Sequence, residues 1–146
     1  MTRDTTREAG RRERLCAVAA EQGLDAVLVT NLLNVRYLTG FTGSNGALLL
    51  RADGRHVFGT DGRYTTQAQA QVPDVELLVD RGTVGALAAR AAADAGRIGY
   101  ESHEVTVDGL RALERVAAGV ELVSIRRAVE ALRAVKDDAR WSRCAG

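Results

Sequence analysis

Short apolar runs alternate with helical patterns along this 146-residue chain, and that alternation is the feature that most restricts its fold. Strands are predicted at 25–30, 46–51, 56–60, 75–79, 97–100 and 121–125, and helices at 7–22, 31–38, 62–72, 83–95, 106–118 and 126–139. The first strand is nearly all apolar, which is typical of a strand buried on both faces. Strands that alternate with helices predict an α/β domain built around a mixed sheet.

One hairpin interrupts the alternation early in the chain. The runs at 46–51 and 56–60 flank Asp53 and Gly54, and an Asp-Gly pair between two strand patterns is a strong hairpin signal. The helix at 31–38 begins after Asn31, a suitable N-cap, and stops at Gly40. These signals predict strand, helix and hairpin in immediate succession, all within one domain.

Composition and charge exclude several classes of protein. The chain is 46% hydrophobic and 27% charged, which excludes wholesale disorder. Its formal net charge of +1 argues against a nucleic-acid-binding or membrane-surface protein. No apolar run approaches the roughly 20 residues of a membrane span, and the charged N-terminus does not look like a signal peptide. We therefore expect a cytoplasmic protein without a membrane partner.

Candidate metal ligands and nucleophiles are few. His56 and His103 share no metal-binding spacing with each other or with a cysteine, so no metal site is predicted. Cys16 lies in a helical apolar pattern and is expected to be a buried free thiol, far in sequence from Cys144. Asp61 is either a catalytic carboxylate at a strand end or a helix N-cap. From these residues alone the chain is an α/β domain without an evident active centre.

Five blocks in a fixed order resemble one known family. They are NVRYLTGFTGSNG at 34–46, ALLL at 47–50, FGTDGRY at 58–64, IGYE at 98–101 and LRAVKD at 132–137. Together they resemble the N-terminal domain of Xaa-Pro aminopeptidases, prolidases and creatinase, the pita-bread metallopeptidases. The resemblance implies a mixed, about six-stranded sheet flanked by helices, over residues 1–139.

The resemblance also implies what this segment does not carry. In the family, two divalent metals of the Mn or Co type are held by two Asp, one His and two Glu of a C-terminal pita-bread domain. No residue here matches those ligands, so we expect that catalytic domain to be absent, and we predict no catalytic residue, no metal and no cofactor in this chain. Residues 140–146 depart from the family pattern and are interpreted as a divergent tail left by a truncation, a frameshift or a cloning boundary.

The resemblance implies oligomer contacts and a wall of the substrate cleft for the N-terminal domain. Arg36 and Tyr37 are then the candidates for touching a peptide substrate in an intact enzyme, although an arginine and a tyrosine at a helix end also commonly snorkel or pack. Phe41, Val129 and Leu132 are the interface candidates. They predict a homodimer, or pairing with a catalytic domain or a full-length subunit.

Two other functions remain open. One is a stand-alone peptide- or partner-binding module derived from that domain. The other is a small-molecule enzyme that uses Asp61 and His103. The sequence leaves open whether an intact relative acts on dipeptides, longer Xaa-Pro peptides or non-peptide substrates, because one fold serves several chemistries.

Overall fold

A computed structural model describes residues 3–135 as alternating strands and helices. The elements are α1 (Thr6–Glu21), β1 (Ala26–Val29), α2 (Leu32–Thr39), β2 (Ala47–Arg51), β3 (Val57–Thr60), α3 (Thr65–Gln71), β4 (Glu76–Val79), α4 (Thr83–Ala92), β5 (Arg97–Tyr100), α5 (Val107–Val116), β6 (Glu121–Ser124) and α6 (Ala128–Arg133). A short 3₁₀ helix, Gly62–Tyr64, precedes α3. No helix within residues 3–135 is long and apolar enough to cross a membrane.

The six strands form one mixed sheet in the order β4-β3-β2-β1-β5-β6. β2 runs antiparallel to both β1 and β3, and the remaining neighbours are parallel. The β2–β3 pair is the predicted hairpin, with Leu48 opposite Phe58 and the Asp-Gly turn beyond Arg51. The predicted mixed six-stranded sheet is therefore confirmed.

The central strands β1 and β2 are buried on both faces, and their alternate residues enter two separate cores. Val27 and Leu48 pack on one face with residues of α1, α2 and α6. Ala26 and Leu49 pack on the other with residues of α4 and α5. Successive side chains of a strand point to opposite faces, so a run of uniformly apolar residues requires a helical layer on each side. The domain is a three-layer α/β/α sandwich.

Helix α2, which carries the candidate substrate residues, has a capping side chain at its start and a left-handed residue at its end. The side chain of Asn31 accepts a hydrogen bond from the backbone N–H of Asn34, as predicted for an N-cap. Gly40 follows the helix with φ of 85°, a left-handed conformation that favours glycine, and its N–H donates to the carbonyl of Arg36. These two caps fix where α2 begins and ends.

The last helix begins later than predicted. Arg126 adopts φ of 55°, which is incompatible with a right-handed helix, so α6 starts at Ala128 rather than at 126. Its predicted extension to 139, like the expected divergent tail at 140–146, lies outside the described residues. Helix α4 ends at Ala92, three residues before the predicted end.

Candidate functional site

A cleft of about 500 Å³ opens beside α2, between the start of α1 and the end of α6. Its lining includes both residues predicted to contact substrate, Arg36 and Tyr37, together with Leu33. Four arginines line it in all, Arg3, Arg11, Arg36 and Arg133, against one acidic residue, Glu8. The volume lies within the usual range of ligand clefts, and the arginine excess gives the lining a positive charge.

Tyr37 is held in place from two sides. Its hydroxyl donates a hydrogen bond of 3.2 Å to the carbonyl of Leu132 in α6. The guanidinium of Arg11 in α1 lies 4.2 Å from the centre of its ring and donates to its carbonyl oxygen at 2.9 Å. Cation–π contacts of this kind contribute about 0.5–1 kcal/mol at exposed sites. Tyr37 therefore joins α2 to α1 and α6 and also lines the cleft.

Arg36 is the residue of this lining that remains available to a ligand. It is exposed, and its guanidinium makes no hydrogen bond or ion pair with other groups in the described part of the chain. A guanidinium binds carboxylates and phosphates through two parallel N–H donors. Arg36 can therefore accept an anionic group without first losing a partner.

Glu8 supplies the acidic side chain of the same cleft. Only 9% of Glu8 is exposed, and Arg3 donates to its Oε1 at 3.2 Å. Its Oε2 is buried and has no hydrogen-bond partner. Arg3 itself is anchored by the carbonyls of Thr39 and Gln71, each at 3.0 Å. A buried oxygen without a partner is uncommon and requires an explanation.

A buried carboxylate helps to fix the entry into α2. Glu101 at the end of β5 is fully buried, and its Oε1 accepts the backbone N–H groups of Thr30 (2.6 Å) and Asn31 (2.8 Å). Its Oε2 accepts from the side-chain amide of Asn34. Because Asn34 and Asn31 begin α2, Glu101 holds that helix against the central strands.

The same asparagine connects α2 to α6. Asn34 Nδ2 also donates to Glu130 at 3.1 Å, and Asn34 Oδ1 accepts from Arg133 at 3.0 Å. Burial favours a higher pKa for Glu130, but the hydrogen bonds from Asn34 and His103 outweigh it and hold that pKa below its ordinary value. The sequence gives no local sign of this network, because Asn34 and Glu130 are 96 residues apart.

Three possible metal ligands meet at this network. One ligand atom each of Glu101, His103 and Glu130 lies within 4.8 Å of the others, and His103 Nε2 is 2.6 Å from Glu130 Oε2. The amide nitrogen of Asn34, however, donates to both carboxylates. Both oxygens of Glu101 already accept hydrogen bonds, from the backbone of Thr30 and Asn31 and from Asn34. We therefore assign no metal to this cluster.

Asp61 is an N-cap, which confirms the second of its two predicted roles. Its side chain accepts from the backbone N–H of Arg63 at the start of the 3₁₀ helix. Hydrogen bonds from the Arg63 guanidinium and then from the Asn45 amide hold the pKa of Asp61 far below its ordinary value. These groups line a second cleft of about 490 Å³ together with Arg81.

Asp61 and His103 do not share a site. Asp61 follows β3 and His103 follows β5, and β2 and β1 lie between those strands. Three inter-strand spacings amount to roughly 14 Å. Each residue is also bound to its own neighbours, Asp61 to Arg63 and His103 to Glu130. This arrangement does not support an enzyme that uses both.

Cys16 is a half-buried free thiol, and His56 packs near it. The thiol donates to the carbonyl of Arg51 at 3.4 Å, and His56 Nδ1 accepts from the backbone N–H of the same residue at 3.1 Å. Burial raises the pKa of Cys16 and lowers the pKa of His56. The thiol is therefore half-buried rather than buried as predicted, and both pKa shifts favour the neutral form of the group.

Two interface candidates lie in the core instead. Phe41 is 1% exposed and packs its ring against Phe58, with centroids 4.7 Å apart, while Val129 is fully buried. Leu132 is partly buried against the same core. The side chains of Phe41 and Val129 are therefore unavailable to a partner, because both are enclosed in the core cluster. The exposed apolar residues near the cleft are Leu32 and Leu33 of α2.

The sequence analysis did not identify Glu8 as a residue of the cleft, although the pattern of α1 indicates that charged side chains face inward. The buried residues of α1 are Glu8, Arg12, Leu15 and Ala19, which recur every three or four positions. Two charged side chains thus occupy the helix face that turns inward. Arg12 uses that position to donate to the carbonyl of Leu38 at 2.7 Å and to pair with Asp74.

Comparison with known proteins gives a consistent result. The model of the creatinase/prolidase N-terminal domain family matches residues 11–135. The chain is 36% identical over 126 residues to the uncharacterized peptidase YqhT of Bacillus subtilis (strain 168), covering 85% of this chain and 35% of YqhT. It therefore spans about a third of that relative.

Solved structures agree with this match. The N-terminal domain of the cytoplasmic peptidase PepQ from Mycobacterium tuberculosis H37Rv is 53% identical with a TM-score of 0.81, covering 84% of this chain and 98% of that domain. The Xaa-Pro dipeptidase of Bacillus anthracis is 29% identical with a TM-score of 0.81, covering 90% of this chain and 37% of the dipeptidase.

Proposed function

The chain belongs to the creatinase/prolidase N-terminal domain family, and from that premise we propose that it is the non-catalytic N-terminal domain of an Xaa-Pro aminopeptidase- or prolidase-like metallopeptidase. In that role it forms a wall of the substrate cleft and contributes contacts between subunits. Its compartment is the cytoplasm, as described for the M. tuberculosis peptidase whose N-terminal domain is 53% identical. The chain matches about a third of the length of each of two longer peptidases, which supports its assignment as one domain of a larger protein.

The observation that carries the proposal is the position of Arg36. An exposed guanidinium without a partner in the described residues lines a cleft of about 500 Å³ beside α6, the last described helix. In the longer relatives the matched segment makes up only about a third of the chain. A catalytic domain that follows α6 would therefore lie near α2, with Arg36 and Tyr37 between the two domains.

The partner surface is proposed to include the exposed face of α2. Leu33 is 61% exposed and lies on the rim of the cleft, next to Leu32 at 40%. Val135, at 52%, is exposed beyond the end of α6. Exposed leucines and valines beside a cleft are typical of a surface that a partner covers. The partner is a catalytic domain, a full-length subunit or a second copy of this chain.

The metal pair of the family does not fit the described residues. Among residues 3–135 the group that brings three potential ligands together is Glu101, His103 and Glu130, and the amide of Asn34 already binds both carboxylates. The two-metal chemistry of an intact peptidase is therefore assigned to its catalytic domain, and no catalytic step is assigned to this chain.

The first test uses the chain alone. Incubation with Ala-Pro and Mn²⁺ or Co²⁺ should release no alanine, with the Asp61→Asn variant as a control. Hydrolysis by the wild-type chain that disappears in Asp61→Asn would identify the domain itself as an enzyme and would contradict the proposal.

The second test replaces the N-terminal domain of the B. anthracis Xaa-Pro dipeptidase with residues 3–135. The chimera should hydrolyse Ala-Pro, and Arg36→Ala should lower its kcat/KM by at least about tenfold, as expected for the loss of one charged contact. Arg111→Ala, on the opposite face in α5, is the matched control. Equal kinetics for the two variants would exclude a role for Arg36 in the cleft wall.

Association can be measured independently by sedimentation velocity. We expect a homodimer at micromolar concentration. Its dissociation constant should rise in the Leu33→Ser variant and should be unchanged in Val107→Ser, a comparably exposed site on α5. A monomer throughout the range of about 5–200 µM would leave a catalytic domain or a full-length subunit as the partner.

A further inference from the structure

We propose that His56 makes the end of the β2–β3 hairpin acid-sensitive: its neutral imidazole closes the hairpin at Arg51, and protonation of the ring opens this end and uncovers Cys16. The proposal goes beyond the proposed function, because the hairpin turn and the cleft are at different ends of the sheet. Arg51 pairs with Ala26 at the start of β1, whereas α2 follows the end of β1. The response to acid therefore belongs to a part of the domain to which no role has been assigned.

The side chain of His56 takes the place of a backbone acceptor. The ladder between the two strands ends where Leu49 pairs with Val57. Arg51 lies two residues further along β2, so its N–H is on the same side of the strand as that of Leu49. This N–H donates to Nδ1 of His56 at 3.1 Å, while the carbonyl of Arg51 accepts from the N–H of Gly54 in the turn at 3.0 Å. The imidazole thus extends the hydrogen bonding of the hairpin past its last strand pair.

This contact requires one protonation state of the ring. A backbone N–H can only donate, so Nδ1 of His56 holds a lone pair and the proton of the neutral ring is on Nε2. Nε2 lies 4.0 Å from Sγ of Cys16, and that thiol donates to the carbonyl of Arg51 at 3.4 Å. A second proton would go to Nδ1, which would then face the N–H of Arg51 as donor against donor. The ring and the backbone of Arg51 must then separate, and Cys16 loses its cover.

The surroundings of the ring oppose protonation at neutral pH. Helix α1 contributes the thiol of Cys16 and the guanidinium of Arg12, and the carboxylates of Asp53 and Asp74 come from the hairpin turn and from the loop before β4. Burial, followed by the charge of Arg12, lowers the pKa of His56, although the two carboxylates act in the opposite direction. The closed hairpin is therefore the neutral-pH form, and acid favours the open one.

The first test is the pH dependence of stability, measured by urea unfolding of the wild type and of His56→Asn. The asparagine Oδ1 can accept the same backbone N–H but does not titrate. A pKa that is lower in the folded chain stabilises the fold above the ordinary His value of about 6.5, and this contribution is lost as the pH falls below it. From about pH 7.5 to about pH 5.5, the unfolding equilibrium constant should rise up to about tenfold more in the wild type than in His56→Asn. The same excess should persist when both chains also carry His103→Asn, which removes the other histidine of the sequence.

The second test follows the thiol directly. In chains with Cys144→Ser, Cys16 is the remaining cysteine, and its rate of reaction with dithiodipyridine is divided by that of N-acetylcysteine at the same pH. This ratio should rise by up to about tenfold over the same pH interval in the wild type and should stay constant in His56→Asn. Nitrogen NMR of the imidazole at neutral pH should place the proton of His56 on Nε2.

Three results would overturn the proposal. Parallel pH curves for the wild type and His56→Asn would show that His56 titrates alike in the folded and unfolded chains. A proton on Nδ1 at neutral pH would exclude its role as acceptor, and equal thiol ratios in the two chains would exclude an opening at this end of the hairpin. If His56→Asn fails to fold, the NMR assignment and the thiol ratio of the wild type decide the question. These measurements need neither a substrate nor a catalytic domain, so their outcome is separate from that of the proposed function.

Discussion

Replacing Glu101 with alanine should lower the free energy of unfolding by about 3–5 kcal/mol, an unusually large loss for one residue. The substitution leaves two partly buried backbone donors, the N–H groups of Thr30 and Asn31, without their acceptor. Each buried donor without a partner costs about 1–3 kcal/mol, and the cavity left by a fully buried side chain adds to that loss. Glu101 thus adds to the Asn31 N-cap in fixing the entry into α2.

Glu101→Gln separates the contribution of the charge from that of the shape. Its carbonyl oxygen can still accept the two backbone N–H groups, but its amide would face the amide of Asn34, donor against donor. We expect a loss of about 1–3 kcal/mol, smaller than that of Glu101→Ala. Glu114→Ala, exposed on α5, should change stability by less than about 0.5 kcal/mol.

The measurement is urea unfolding followed by circular dichroism, with m-values compared among the variants. A loss of less than about 1 kcal/mol for Glu101→Ala would refute the argument that this carboxylate fixes the start of α2. An equal loss for the alanine and glutamine variants would refute the part assigned to the two backbone donors.

Three further predictions concern packing, pH and metal. Gly99→Ala should lower the free energy of unfolding by about 1–3 kcal/mol in thermal unfolding, because an added Cβ would lie 2.5 Å from Ile125 Cγ2. The control, Gly85→Ala in α4, has open space around the added Cβ and should stabilise the domain by about 0.4–1 kcal/mol. The folded-state pKa of Asp61 is lowered, so the stability of the wild type relative to Asp61→Asn should be constant above the ordinary Asp pKa of about 3.9. Below that pH the stability advantage of the wild type should decrease. An advantage that instead grows in acid would contradict this. Isothermal titration should show no stoichiometric sub-micromolar binding of Mn²⁺, Co²⁺ or Zn²⁺, and tight binding abolished by Glu130→Gln would show that the Asn34 amide does not block a cation.

Patterns in the sequence predict the elements of this fold because the determining interactions are local. The N-cap of α2 at Asn31, its stop at Gly40 and the Asp-Gly hairpin each involve residues a few positions apart. The uniformly apolar β1 also implies helical layers on both faces. Motif order then predicted the family, which the match over 11–135 confirms.

The candidate site is less predictable, because its contacts join distant parts of the chain. Arg36 and Tyr37 were predicted to contact a substrate, and both line the cleft. The opposite wall, which was not predicted, comes from Glu8 and Arg133 near the two ends of the described segment. Apolar character alone did not distinguish core from interface. Phe41 looks like an exposed loop residue in the sequence, yet its ring packs at an angle against Phe58 of the hairpin, 17 positions later.

The position of β1 in the sheet has a consequence for synthesis on the ribosome. β1 can pair with β2 as soon as the hairpin emerges, but its other edge waits for β5, since Ala26 pairs with Ile98, 72 positions later. At about 5–20 residues per second, translation of that interval takes about 4–14 s. During this time an entirely apolar strand has an open edge, a state prone to pairing with other nascent chains. Slow translation between these two strands should therefore lower the yield of this domain more than slow translation after β5.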